Sequence, residues 1–97
     1  MPRIELAAQV TRDFERILNH LASFGQENAT QRLGEIVAAL DILDQNPLIG
    51  RPVANAKREL VIGRGSHGYV ALYRYVPEMD TVLVLAIRSR REAGYSE

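Results

Sequence analysis

The chain contains no cysteine and no long apolar run. Disulfide bonds and cysteine-ligated zinc sites are therefore excluded, as is usual for proteins of a reducing cytosol. The first residues, MPRIELAAQ, lack the apolar core of a signal peptide, and no segment reaches the roughly 18 apolar residues of a membrane span. We therefore expect a cytoplasmic protein that does not bind membranes.

Several catalytic motifs are also missing. HExxH, GxSxG and paired carboxylates at helical spacing do not occur, so the sequence gives no support to a metallohydrolase or a serine hydrolase. The glycine-rich residues 63–68 (GRGSHG) lack the lysine and the following helix of a phosphate-binding loop, and we interpret them as a hairpin turn. We expect neither a metal nor a cofactor.

The net charge is zero, but the two halves of the chain differ. Residues 1–50 carry four arginines against seven acidic residues, a balance of −3, whereas residues 51–97 carry eight basic against five acidic residues, a balance of +3. This asymmetry suggests an anionic partner for the second half, and a solvated polar surface explains it about as well.

With 97 residues, the chain has the size of one small domain, residues 1–97, and the spacing of its apolar residues predicts two helices. The first apolar stripe consists of Val10, Phe14, Ile17, Leu18 and Leu21, and the residues expected to face away are Arg12, Asp13, Glu15, Arg16 and Asn19. The second stripe consists of Ala29, Leu33, Ile36, Val37, Leu40 and Leu43. Gly25 should end the first helix and residues 46–47 (NP) the second, which predicts an antiparallel hairpin.

Residues 47–52 (PLIGRP) are predicted to form an ordered loop in which Leu48 and Ile49 dock on the protein. Strands are predicted at residues 3–7, 58–63, 69–76 and 81–87. In the third of these, Tyr69, Ala71, Tyr73 and Tyr75 share one face, which we interpret as core. Residues 82–87 contain no polar side chain, the pattern of a strand that is covered on both faces.

The predicted fold is α+β with the order β-α-α-β-β-β, in which the helical hairpin packs on one face of a small, mainly antiparallel sheet. The first strand could pair with either edge of the following meander. Two helices cover only one face, so either the C-terminal tail or a partner should cover the other.

Arginines follow the most hydrophobic strand: Arg88, Arg90 and Arg91, with Tyr95 close behind. Guanidinium groups bind phosphate or carboxylate groups through paired hydrogen bonds, so this cluster is a candidate site for binding a target or a partner. Tyr73 and Arg74 on the neighbouring strand are included in the candidate set. A solvated C-terminal tail is the plainer interpretation.

Five segments occur in a distinctive order, namely residues 43–47 (LDQNP), 49–52 (IGRP), 58–60 (REL), 68–74 (GYVALYR) and 87–95 (IRSRREAGY). Together they resemble the RelE/ParE family of toxins from bacterial type II toxin–antitoxin modules. The resemblance covers nearly the whole chain. It implies the fold described above and a cognate antitoxin, with an acidic binding segment, as partner.

The resemblance also implies one of two targets. RelE-like members cut messenger RNA in the ribosomal A site, using basic residues of the sheet and a tyrosine near the C-terminus, whereas ParE-like members inhibit DNA gyrase and are not known as nucleases. Under the nuclease alternative the candidate catalytic residues here are Arg58, Arg90, Arg91 and Tyr95.

Other features favour the ParE type. Val70 stands where the nuclease branch tends to carry arginine, residues 59–63 contain no lysine, and a neutral chain is unlike a protein that binds ribosomal RNA. We therefore predict a non-enzymatic toxin that contacts DNA gyrase. The alternatives are a ribosome-dependent endoribonuclease acting on mRNA and a non-toxic regulatory partner of the antitoxin. A homodimer and a toxin–antitoxin hetero-oligomer both stay open.

Overall fold

The computed structural model describes residues 2–23, 25–63 and 68–90, and only the backbone of residues 26–28. Its elements are β1 (Arg3–Leu6), α1 (Ala8–Ala22), α2 (Gln26–Ile42), β2 (Arg51–Val53), β3 (Lys57–Ile62), β4 (Tyr69–Val76) and β5 (Thr81–Ser89). A single 3-10 turn, Pro77–Met79, connects β4 to β5. The predicted α+β fold is confirmed, with β2 as an additional strand that begins inside the predicted loop 47–52.

The five strands form one sheet in the order β1-β5-β4-β3-β2. Neighbouring strands are antiparallel except for β1 and β5, which run parallel with Ile4 opposite Val82 and Leu6 opposite Val84. The first strand therefore pairs with the β5 edge of the meander. The Ala7 amide then donates a hydrogen bond to the Val84 carbonyl at 2.9 Å, and the chain leaves the sheet directly into α1.

The hydrophobic core lies between the helical hairpin and one face of the sheet. Its buried members from the helices are Val10, Ile17, Leu21, Ala29, Ile36 and Leu40, joined by Leu43, and those from the sheet include Ile62, Tyr69, Ala71, Tyr73, Val82, Val84 and Ile87. Full burial of one such large apolar side chain contributes about 1.5–3 kcal/mol. The tyrosine-bearing face of β4 is therefore core, as predicted.

Three residues of the predicted helical faces are placed differently by the structure. Asp13, predicted to face away from the core, is only 1% exposed, whereas Leu18 and Val37, predicted to be core, are 40% and 51% exposed. Leu18 and Val37 each follow a buried isoleucine by one residue, so a helix that contacts a single sheet turns them toward solvent. Asp13 lies three residues after Val10 and four before Ile17, and this spacing puts it in the centre of the buried stripe.

The loop between α2 and β2 docks through its backbone and not through its apolar side chains. Leu48 and Ile49 are 57% and 55% exposed, which corrects the prediction that they pack on the protein. Arg58 donates hydrogen bonds to the carbonyls of Leu48 (3.0 Å) and Gly50 (2.8 Å), and the Gly50 amide donates to the Tyr73 hydroxyl at 2.8 Å. The loop is thus attached to β3 through Arg58 and to β4 through Tyr73.

Candidate partner-binding site

The face of the sheet that points away from the helices carries a mixture of apolar and basic side chains. We call it the outer face, and its members on β3, β4 and β5 are Lys57, Glu59, Val61, Val70, Leu72, Arg74, Val76, Thr81, Leu83, Ala86 and Arg88. They alternate along the strands with core residues such as Ala71 and Tyr73. Val70 and Ala86 are buried and Leu72 and Leu83 half-buried, so apolar residues occupy the centre of this face.

Basic side chains lie at the ends of the outer face. Arg88 pairs across the ladder with Val70, and Arg74 pairs with Leu83, so the two arginines stand four residues apart along β4. At about 3.3 Å per residue this separation is about 13 Å. Arg74 donates a hydrogen bond to the Asn55 carbonyl at 3.0 Å, which fixes its guanidinium near the β2–β3 turn.

The acidic residue of the outer face on β3, β4 and β5 is already paired with a cation, as is Glu5 on the neighbouring β1, which contacts Arg3 at 3.1 Å. Glu59 forms an ion pair with Arg51 at 2.7 Å. Within the part of the chain that the structure describes, no such ion pair involves Lys57, Arg74 or Arg88. The outer face is therefore positively charged at its ends and apolar in its centre, and this combination complements an acidic segment that also carries apolar residues.

The C-terminal end of β5 brings two of the predicted arginines together. Arg88 is exposed and Arg90 half-buried, and the Arg90 amide donates a hydrogen bond to the Gly68 carbonyl at 3.0 Å. Arg91 and Tyr95, the other members of the predicted cluster, lie outside the described residues. The structure thus places half of the predicted basic cluster at the edge of the outer face.

Two other candidates lie elsewhere. Arg58 stands on the helix side of β3 and is half-buried, with its guanidinium held by the Leu48 and Gly50 carbonyls. Tyr73 is fully buried and its hydroxyl accepts the Gly50 amide hydrogen bond. This corrects the inclusion of Tyr73 among surface residues, since its side chain has no exposed area with which to contact a partner in this conformation. Both residues anchor the loop.

Sequence reasoning missed Asp13, the buried acid of α1. One of its carboxylate oxygens accepts hydrogen bonds from Gln9 (2.9 Å) and Arg16 (3.0 Å), and the other accepts the Ile87 amide at 2.9 Å. Arg16 also donates to the Ile87 carbonyl at 3.2 Å. Burial raises the pKa of Asp13, but the hydrogen bonds from Gln9, Ile87 and Arg16 outweigh it and lower the pKa below its usual value.

The strand that Asp13 contacts contains a β-bulge. Leu72 lies opposite Ala86, whereas the next residue of β4, Tyr73, lies opposite Val84, so Leu85 is an extra residue in β5. The bulge follows the end of β1, whose last pair is Leu6 with Val84. In the sequence, the feature that indicates the contact between α1 and β5 is an acidic residue, Asp13, at the centre of an apolar helical stripe.

A second surface feature is an open groove between α2 and β3, with a volume of about 620 Å³. It is lined by Arg32, Glu35, Ala38, Ala39, Ile42, Val61, Ile62 and Gly63. The pairing of β2 with β3 stops at Glu59, so the groove adjoins the part of β3 that β2 does not cover.

Within residues 2–23, 25–63 and 68–90, no three histidine, aspartate or glutamate side chains lie close enough together to hold a metal ion. In the same residues, neither helix is long and apolar enough to cross a membrane.

Comparison with known proteins identifies a family and a relative that match nearly the whole chain. The family described as the ParE toxin of the type II toxin–antitoxin system parDE matches residues 4–94. A protein named Toxin RelE3, from Caulobacter vibrioides, is 30% identical over 92 residues, which make up 95% of this chain and 98% of that protein.

Solved structures show the same fold. A chain of the chromosomal ParDE system of P. aeruginosa has a TM-score of 0.78 at 24% identity, over 92% of this chain and 96% of its own. A chain of the RelBE2 toxin–antitoxin complex from Mycobacterium tuberculosis has a TM-score of 0.65 at 22% identity, over 93% of this chain and 100% of its own. With its α+β fold and a match that spans nearly all of its residues, the chain belongs to the ParE toxin family of type II toxin–antitoxin systems.

Proposed function

We propose that this toxin inhibits DNA gyrase by direct protein–protein contact, and that a cognate antitoxin prevents the contact by covering the outer face and residues 88–95. The match to ParE toxins supports the choice of target, because ParE-like members of the family inhibit gyrase. The neutral net charge supports it as well, since a ribosome-binding nuclease has to neutralise many RNA phosphates.

The observation that carries this choice is the position of Arg58. The nuclease alternative needs this arginine on the sheet to stabilise a transition-state phosphate. In the structure its guanidinium is half-buried on the helix side and donates to the carbonyls of Leu48 and Gly50. Val70, at the position where the nuclease branch tends to carry arginine, is buried and apolar. Both features favour a toxin that acts by contact over one that acts by phosphate chemistry.

The outer face supports the antitoxin part of the proposal. Exposed Val61 and half-buried Leu72 and Leu83 offer apolar contacts, and with the basic ends they complement an acidic segment that also carries apolar residues. The similar solved structures include chains from ParDE and RelBE toxin–antitoxin systems, so members of this fold occur with antitoxins.

The proposal is tested with purified toxin in a gyrase supercoiling assay. Inhibition should increase with toxin concentration and disappear when the antitoxin from the neighbouring gene is added in equal amount. Arg88→Ala should weaken inhibition because it removes the exposed cation at the edge of the outer face. Arg12→Ala changes an exposed arginine of α1 and serves as the matched control. Normal supercoiling at excess wild-type toxin would rule out gyrase as the target.

The ribosome-dependent nuclease is kept as second candidate because Toxin RelE3 is a relative at 30% identity. If it is correct, toxin added to a translating extract cuts mRNA in the ribosomal A site, and Tyr95→Phe or Arg91→Ala slows the cutting sharply. Intact mRNA in that extract would exclude this candidate. Growth that stays normal when the toxin is expressed alone would instead favour the non-toxic regulatory role.

A further inference from the structure

The bulge in β5 determines on which face of the sheet each of the last side chains of the strand lies. Val84 and Ile87 are both buried against the helices although they are three residues apart, because Leu85 is the extra residue. Without the bulge, strict alternation would place Ala86 and Arg88 on the helix side and Ile87 on the outer face. The exposure of Arg88 on the outer face therefore depends on this one-residue shift.

Within residues 82–87 the hydrophobic pattern does not select between these two arrangements, although the unbulged one would also turn the charged Arg88 toward the helices. Residues 82–87 (VLVLAI) are apolar at every position, so either set of alternating side chains could face the core. Strand register is weakly specified where the two faces are alike. The cost of turning Arg88 inward favours the bulged register, and an interaction with the backbone at the end of β5 would add to that preference.

Asp13 and Arg16 supply such an interaction. In an antiparallel strand, the amide and the carbonyl of one residue point to the same side of the strand. Both groups of Ile87 are hydrogen-bonded to α1 side chains, the amide to Asp13 at 2.9 Å and the carbonyl to Arg16 at 3.2 Å. They therefore point away from β4, toward the side where β1 has ended at Leu6. The Asp13 and Arg16 side chains thus make the hydrogen bonds that a neighbouring strand would make there. The other carboxylate oxygen of Asp13 accepts hydrogen bonds from Gln9 and Arg16.

We propose that Asp13 is a positioning residue that fixes the register of β5 through the Ile87 backbone and thereby directs Arg88 to the outer face. Asp13 touches no partner itself, since it is buried beneath the sheet edge. Its effect on the toxin passes through Arg88. That last step rests on the proposed function, whereas the control of register does not.

The absence of cysteine from the chain allows a direct test of register. Arg88→Cys introduces a unique thiol whose reaction rate with an aromatic disulfide reagent, relative to the rate in urea, reports exposure of position 88. The thiol should react fast when Asp13 is present. With Asp13→Asn, the side-chain NH2 would face a donor in either orientation, that is, the Ile87 amide or the donors of Gln9 and Arg16. If about nine molecules in ten then adopt the shifted register, the rate falls about tenfold.

The controls separate a shift of register from loss of structure. Glu15→Gln, at an exposed acid of the same helix, should leave the rate unchanged. If Asp13 only stabilised the fold, Asp13→Asn would fray the strand end and the rate would stay the same or rise, which would overturn the proposal. Should circular dichroism show that Asp13→Asn is unfolded, Arg16→Gln replaces it. That variant removes the charged donor that binds both Asp13 and the Ile87 carbonyl, so the rate should fall there as well, and an unchanged rate would overturn the proposal.

A second measurement connects register to activity. If Asp13 acts through Arg88, Asp13→Asn weakens gyrase inhibition in the wild-type background but causes no further loss in the Arg88→Ala background, although it destabilises both. Equal additional losses in both backgrounds would contradict the proposal. If the wild-type toxin leaves gyrase active, the proposed target is wrong, and the thiol experiment still decides the role of Asp13.

Discussion

At Asp13, burial and hydrogen bonding act on one carboxylate in opposite directions. Burial raises its pKa, and the donors Gln9, Ile87 and Arg16 lower it more, so the folded protein binds a proton there less readily than the unfolded chain. The stability that Asp13 contributes is therefore complete above the unfolded pKa of about 3.9 and is lost as the pH falls through the lower folded value.

We predict that Asp13→Asn lowers the free energy of unfolding at pH 7 by about 2–3 kcal/mol, because it breaks hydrogen bonds to a buried charge. The deficit relative to wild type should shrink as the pH falls below about 4, because the unfolded wild-type chain then takes up a proton that the folded carboxylate binds only at lower pH. Urea unfolding between pH 7 and pH 3 measures this. A deficit independent of pH would mean that the charge of Asp13 is not what stabilises the fold.

At Gly50 the requirement is space. A Cβ built on this residue would lie 2.7 Å from the ring and hydroxyl of Tyr73 and 2.8 Å from the Glu59 carbonyl. We predict that Gly50→Ala destabilises the protein by about 1–3 kcal/mol, the usual cost of overpacking. Gly34, inside α2, has nothing within 4 Å of the same position, so Gly34→Ala should instead stabilise by about 1 kcal/mol through helix propensity. Thermal unfolding of the two variants should shift in opposite directions.

At the scale of elements, the loop before β2 depends on one arginine of β3. We predict that Arg58→Gln costs about 1–2 kcal/mol, because two carbonyls lose a charged donor, and that the Gly50 amide exchanges faster with solvent. Arg51→Gln is the matched control: it removes an exposed ion pair with Glu59 and should cost less than about 1 kcal/mol. Slow exchange at Gly50 in Arg58→Gln would show that Tyr73 alone holds the loop.

The helices and strands that the sequence predicts are those in which apolar residues recur at a regular spacing. Both helices and strands β1, β3, β4 and β5 follow from apolar spacing, and the tyrosine face of β4 lies in the core as expected. Strand β2 has three residues, one of them Pro52, and it exists because it pairs with β3. Three residues are too few for the spacing of apolar side chains to indicate such an edge strand.

The candidate site was harder to predict than the fold. Arg74 and Arg88 are exposed, as the alternation of side chains along β4 and β5 predicts. The face of the sheet on which Arg88 lies, however, depends on the bulge in β5. Arg58 and Tyr73 are chemically suited to binding, and tertiary contacts with Gly50 give them a structural role. Asp13 looked like a surface residue because of its charge. Its partner, the Ile87 backbone, lies 74 positions away in the sequence.

On the scale of the whole molecule, the charge asymmetry of the chain becomes a spatial one. The acidic first half supplies β1 and both helices, and the basic second half supplies the sheet strands that bear the outer face. We predict that the antitoxin protects the outer face and residues 88–95 from hydrogen exchange and leaves the solvent side of α1 and α2 unprotected. Exchange mass spectrometry of the free and bound toxin measures this. Protection confined to the helices would show that the antitoxin binds elsewhere.

The same charge distribution predicts how affinity responds to salt. Because Arg74 and Arg88 lie at the ends of an apolar centre, added salt should weaken antitoxin binding chiefly by slowing association. Arg74→Gln and Arg88→Gln should each reduce this salt dependence, and Arg12→Gln on α1 should not. Stopped-flow association rates at several ionic strengths measure the effect, and identical slopes for all three variants would place the binding surface away from the outer face.

The bulge at Leu85 has a consequence for changes in chain length. Deleting this single residue would remove the bulge and leave strict alternation in β5, with Ile87 still on the core face opposite Ala71 and Arg88 still on the outer face opposite Val70. Conservative substitutions at the same position keep the residue count and hence the faces. The stretch between Val84 and Ile87 should therefore accept the loss of one residue, which elsewhere in a paired strand would reverse the faces of the residues that follow.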